Sequence, residues 1–99
     1  MNWNVKFLPE AQDDMASLAG NQRILVAKAI RKVQQNPLSF QEGGYGKPLG
    51  NKRNNDLSGF LKIKLRNEGL RVVYKVVRTG SEMLIIVIGA RIRIKKHDL

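Results

Sequence analysis

Apolar and polar residues alternate at the start of the chain, where Trp3, Val5 and Phe7 sit between Asn2, Asn4 and Lys6. A strand sends successive side chains to opposite faces, so this pattern predicts a half-buried first strand. The period then changes. Pro9 suits the first turn of a helix, the acids Glu10, Asp13 and Asp14 favour its positive end, and Ala11, Met15 and Leu18 recur at i, i+4 and i+7. Gly20-Asn21 is the expected stop. A second helix is predicted over about residues 22–35, with Val26, Ile30 and Val33 as its stripe, Ile24 and Ala29 beside it, and Asn36-Pro37 ending it. Two narrow stripes in succession suit a helical hairpin laid on one side of a sheet.

Residues 38–56 are rich in Gly, Asn and Lys and show no periodicity, which predicts a loop or a poorly ordered crossing. Alternation returns at Phe60: Leu61, Ile63 and Leu65 point one way, Lys62, Lys64 and Arg66 the other. On the return strand Leu70, Val72, Tyr74 and Val76 share one parity, while Arg71 and Lys75 share the other with Val73 and Val77. An even turn at Glu68-Gly69 would pair Arg66 with Arg71, Lys64 with Val73 and Lys62 with Lys75, superposing the two basic faces. A turn longer by one would set Arg71 opposite Leu65, so the even turn is expected. Thr79-Gly80-Ser81 then leads into a last strand over residues 83–88, closing at Gly89.

In that strand, strict alternation from Tyr74 gives the core face to Met83, Ile85, Val87 and Gly89, and would send Arg91 inward. A bulge or a strand end at Gly89 is the expected escape. Leu84, Ile86 and Ile88, with Val73 and Val77, form an apolar patch on the second face that calls for a cover. The order is strand, helix, helix, then a three-stranded antiparallel meander. This predicts an α+β fold, a strand and helical hairpin packed on an antiparallel sheet, in one domain over residues 1–99.

Composition narrows the function. With 42% apolar residues the 99-residue chain can build a core, and with no cysteine it has neither a disulfide framework nor a thiolate metal site. The longest apolar run is too short for a bilayer and the amino terminus lacks a signal-peptide core, so a cytoplasmic protein without a membrane partner is expected. The net charge of +10 is lopsided. Residues 1–46 hold five Lys/Arg against four acids, whereas residues 47–99 hold thirteen against four. Such a half suits a phosphodiester ligand, whose backbone carries a charge at every nucleotide. The Gly-Gly-Tyr-Gly-Lys-Pro segment at residues 43–48 is not a P-loop, because Pro replaces the Ser/Thr and no helix follows.

A lone histidine, His97, builds no metal site, and the basic half contains neither a paired carboxylate nor a Gly-x-Ser-x-Gly turn. No metal or other cofactor is expected. What remains is Lys62, Lys64, Arg66, Arg71, Lys75, Arg91, Arg93, Lys95, Lys96 and His97. Metal-free RNA cleavage needs a group to take the 2′-hydroxyl proton, one to protonate the leaving 5′-oxygen, and cations to hold the charge of the five-coordinate phosphorane. This set has the residue types to supply all three.

Leu57-Ser58-Gly59, Lys62-Ile63-Lys64-Leu65-Arg66, Gly69-Leu70-Arg71-Val72-Val73-Tyr74 and Ile88-Gly89-Ala90-Arg91 resemble the RelE branch of the RelE/ParE family of bacterial toxins. Phe7-Leu8-Pro9-Glu10-Ala11 and Asn36-Pro37 resemble the family's first helix and the loop, so the likeness covers nearly the whole chain. The resemblance implies a RelE-like fold and a toxin of a toxin–antitoxin pair. Such a toxin enters the ribosomal A site, cuts messenger RNA and is held inactive by a cognate antitoxin, which also sets its oligomeric state. It implies Lys62, Lys64, Arg71 and Arg91 as active-site cations; the charge pattern itself offers Arg66, Lys75, Arg93, Lys95 and Lys96 as further RNA contacts. One position departs: where RelE members carry a tyrosine six residues beyond the matching arginine, this chain has His97, and an imidazole titrating near neutral pH suits proton transfer. Two other readings stand beside this one. A ParE-like toxin would bind a topoisomerase without cutting RNA. A non-enzymatic RNA-binding module fits the charge but would be poor in exposed aromatics, because Trp3 and Tyr74 fall at core parity.

Overall fold

The structure, a computed structural model, describes residues 3–49 and 59–90. Strand β1 (Asn4–Phe7) leads into helices α1 (Pro9–Ser17) and α2 (Gly20–Gln34), then a two-residue strand β2 (Lys47–Pro48) and three longer strands, β3 (Phe60–Leu65), β4 (Leu70–Val77) and β5 (Glu82–Gly89). They form one sheet in the order β1-β5-β4-β3-β2. The meander is antiparallel as expected, and the fold class is α+β. The first strand adds a parallel edge, with Val5 beside Met83 and Phe7 beside Ile85, so the five-stranded sheet is mixed.

Both helices cover one face. Ala11 of α1 and Val26, Ile30 and Val33 of α2 are buried against Leu61, Ile63, Val72, Tyr74, Met83 and Ile85, with Met15, Leu18 and Ala29 packed at the margin. The stripes read from the sequence are thus the core stripes, except that Ile24 faces solvent at 68% exposure. The helix boundary also differs. Gly20 starts α2 rather than ending α1, and α1 stops because Arg23 reaches back from α2 to donate to the carbonyls of Met15, Ala16 and Leu18 at 2.9–3.2 Å. A guanidinium satisfies the orphan carbonyls that a glycine cap would otherwise serve.

The β5 register resolves the parity conflict at a different place from the one expected. Tyr74 pairs with Ile85 but Val73 pairs with Val87, so Ile86 is the extra residue of a bulge. Beyond it the faces exchange: Ile88 turns into the core at 4% exposure, whereas Val87 and Gly89 lie opposite Val73 and Arg71. On the second face β5 therefore contributes Leu84 and Val87, with Ile86 at the bulge and without Ile88, and the expected core position of Val87 is corrected. β1 ends at Phe7, level with Ile85, and the amide of Ile88 beyond that point is taken by the half-buried Asp14 of α1, which accepts it at 2.9 Å. Asp14→Ala strips this acceptor from a partly buried N–H and should cost about 1–3 kcal/mol. Asp14→Asn, which keeps an acceptor oxygen, should lose much less, as chemical denaturation of both variants would show.

Residues 37–49 form an ordered loop, the first of the two expectations for this stretch, and residues 50–56 lie outside the described residues. The hydroxyl of Tyr74, on the core face of β4, donates to the carbonyl of Pro37 at 2.8 Å, and its burial pushes the phenol pKa well above the usual value. Gly46 is buried where any Cβ would meet that hydroxyl oxygen and the carbonyls of Pro37 and Leu38. Backbone bonds from Phe40 to Gly46, from Gly46 to Leu38 and from Tyr45 to Asn36 close the loop, and Glu42 binds Arg78 through two short contacts of 2.7 and 2.8 Å. Tyr74→Phe should destabilise by about 1–3 kcal/mol, since it orphans the Pro37 carbonyl. Gly46→Ala should cost at least as much, because it inserts a methyl where backbone must move. Thermal unfolding of the two variants checks both.

Candidate active site

The β3–β4 turn decides which cations meet. It spans four residues, 66–69, with a single 3-10 turn at Arg66–Glu68 and Gly69 in the left-handed region at φ +65°. This is two residues longer than the expected turn, so parity is kept and the partners change. Lys64 lies directly opposite Arg71, Lys62 opposite Val73, and Phe60 opposite Lys75. The two basic faces superpose as expected, but Arg66 leaves the strand for the turn.

On its other side Arg71 lies opposite Gly89 of β5. A glycine there leaves the space beside the guanidinium open. Lys64, Leu65, Arg66, Gly69, Leu70, Arg71 and Ala90 line a cleft of about 360 Å³ at this end of the sheet. Like charges directly opposite each other destabilise a strand pair. Among the described residues neither Lys64 nor Arg71 has a carboxylate partner. The fold thus holds two or three cations around an open space, an arrangement that an incoming anion relieves.

A second cleft, of about 280 Å³, opens on the other side of Lys64, between α2 and the outer edge of β3. Ala29, Lys32 and Val33 form its helical wall, Ile63 and Lys64 its sheet wall, and Tyr45, Lys47 and Lys62 its rim. β2 pairs only with Leu61 and Lys62, so no described strand covers the β3 edge beyond them. Lys47 sits directly opposite Lys62, extending the row of cations by one strand. Sequence reasoning missed Lys32, Tyr45 and Lys47. Residues 38–49 carry no periodicity from which a register could be read, and Lys32 sits on α2 with nothing in the pattern to mark it. The expectation of few exposed aromatics is corrected too, since Tyr45 is 49% and Phe40 61% exposed.

Lys75 lies on the same face but about 14 Å along the strand from Arg71 by strand rise, with its ammonium 5.4 Å from the centre of the Phe60 ring. The cleft residues Lys64, Arg66 and Arg71 and the neighbouring Lys62 come together; Lys75 stands apart. Arg91, Arg93, Lys95, Lys96 and His97 lie outside the described residues, although Ala90, the residue before Arg91, borders the first cleft. Among the described residues no cluster of His, Asp or Glu has the makings of a metal site, and no helix is long and apolar enough to cross a membrane.

The mixed five-stranded sheet with a helical hairpin on one face is an α+β fold of the RelE kind. A chain of the E. coli RelBE toxin–antitoxin complex superposes with a TM-score of 0.70 at 23% identity, over 92% of this chain and 99% of that one. The M. tuberculosis RelBE2 complex gives 0.71 at 20% identity over 92% and 100%. The isolated E. coli RelE toxin gives 0.69 at 24% over 92% and 86%. No family model matches the chain, and no curated protein does. The likeness is one of fold.

Proposed function

We propose that this protein is the toxin of a toxin–antitoxin pair and a metal-independent endoribonuclease that cuts messenger RNA in the ribosomal A site. The observation that carries this reading is the pairing of Lys64 with Arg71 across β3 and β4, beside a cleft opened by Gly89 and joined by Arg66. A rigid sheet holding cations at fixed spacing is prepared for the extra negative charge of a phosphorane and loses nothing to reorganisation when that charge develops. In this reading Lys62, Lys64 and Arg71 bind and stabilise the scissile phosphate. Arg91 stabilises charge or assists the leaving group, and His97 transfers the proton.

The RelE-like fold supports an antitoxin partner as well, since its solved counterparts include toxin–antitoxin complexes and a RelE toxin bound to an antitoxin peptide. The half-buried Leu84 and Ile86 on the sheet face opposite the helices, or the basic clefts, would receive an acidic amphipathic segment. Primer extension on a ribosome-bound message, with and without the purified protein, tests the nuclease reading. New stops within the A-site codon are expected. An intact message on translating ribosomes, together with binding to a topoisomerase, would replace it with the ParE-like alternative.

A further inference from the structure

Four lysines converge on the cleft between α2 and the β3 edge, and this crowding leads to a tyrosine. Tyr45 has glycine on both sides in the sequence, and both glycines are forced. A Cβ at Gly44 would meet the carbonyl of Leu38 and the Asn36 oxygen; one at Gly46 would meet the Tyr74 hydroxyl. The Tyr45 amide is itself held by the Asn36 carbonyl at 3.0 Å. Its backbone is therefore locked while about half of the residue stays open to solvent. The Lys32 ammonium stands 5.5 Å from the ring centre, and Lys47, Lys62 and Lys64 complete the lining. Lys64 also lines the Arg71 cleft, so the two clefts are neighbours with that side chain between them.

We infer that the Tyr45 groove is a binding subsite for single-stranded RNA, in which Tyr45 stacks a base flanking the scissile phosphate and Lys32 and Lys47 hold the adjoining backbone. The assignment rests on the ribonuclease reading for which phosphate lies next door, but the groove's chemistry stands by itself. An aromatic ring beside cations recognises a strand that offers both an exposed π-face and a charge at each unit. An acidic peptide offers only the charge. A duplex hides its base faces, so the ring selects single strands.

The test is fluorescence anisotropy of a labelled single-stranded oligoribonucleotide with the full chain and with Tyr45→Phe, Tyr45→Leu, Tyr45→Ala and Lys47→Gln, each checked for a wild-type melting curve. Loss of one base stack corresponds to roughly 10-fold weaker binding for Tyr45→Leu and Tyr45→Ala, while Tyr45→Phe, which keeps the ring, should bind within about twofold of wild type. Lys47→Gln should flatten the dependence of log affinity on log salt by about 0.7, the single-strand value for one phosphate contact, and Tyr45→Leu should leave that slope unchanged. Equal affinity of wild type and Tyr45→Leu overturns the inference. So does a polyglutamate competitor whose binding depends on Tyr45 to the same degree, which would make the groove a peptide site. The outcome is separable from the nuclease reading: Tyr45-dependent oligonucleotide binding by a protein that leaves ribosome-bound message uncut would sink the latter and keep the groove. Cleavage with Tyr45-independent binding would do the reverse.

Discussion

Arg71→Ala should slow cleavage of ribosome-bound message by about 100-fold or more, the usual size of a lost transition-state donor, and leave the unfolding transition almost unmoved. The two halves of the result have one structural cause. Arg71 is exposed on β4 and shares its register row with a lysine on one side and a glycine on the other. Its removal breaks no ion pair among the described residues and relieves a like-charge contact with Lys64. Folding therefore has little to lose, while a phosphorane loses one of its counter-charges. Lys64→Ala should behave alike for the same reason. Single-turnover rates and thermal melts on both variants check this; a variant that unfolds, or one that cuts at the wild-type rate, refutes the placement of these side chains at the reacting phosphate.

His97→Ala should have an effect as large or larger, roughly 100-fold to 10,000-fold in rate, with RNA binding unchanged, as expected for a group that moves a proton in the slow step. The pH profile carries the sign. An imidazole that accepts the 2′-hydroxyl proton must be neutral, so the wild-type rate would fall as pH drops through the ordinary histidine range near 6.5. One that protonates the 5′-oxygen must be charged, and the rate would fall as pH rises through that range. In either case the bend should vanish in His97→Ala. Equal rates for the two proteins at every pH would retire the imidazole and leave the chemistry to the cations alone.

The sequence made the helical stripes, the meander and the pairing of basic faces legible, because each follows from a local period of 3.6 or 2. Register was less accessible. A four-residue turn and a two-residue turn give the same parity, so the pattern specified that basic faces superpose without specifying that Lys64 meets Arg71. A bulge or strand end was expected at Gly89, the residue with the most freedom; the strand does end there, but the bulge comes earlier. It falls at Ile86, where Asp14 of α1 can take up the amide of Ile88 just beyond. The groove around Tyr45 was invisible, since the features that fix it are a phenol on a distant strand and two glycines with no room for a methyl. Neither leaves a periodic trace in a segment that reads as loop.

The parallel edge has a consequence for how the molecule comes into being. Asn4 finds its partner in Glu82, and Asp14 finds its own in Ile88, across most of the chain. Synthesis delivers the amino terminus first, and contacts between distant segments form slowly because a long loop must close before they repay its entropy. The β3–β4 hairpin, by contrast, pairs Lys64 with Arg71 through local contacts alone. The β4–β5 hairpin is equally local, with Val77 paired to Glu82, so contact order alone favours forming the Lys64, Arg71 and Gly89 row before β1 has a neighbour. A nascent chain at that stage would present an unpaired β5 edge and the charge cluster together.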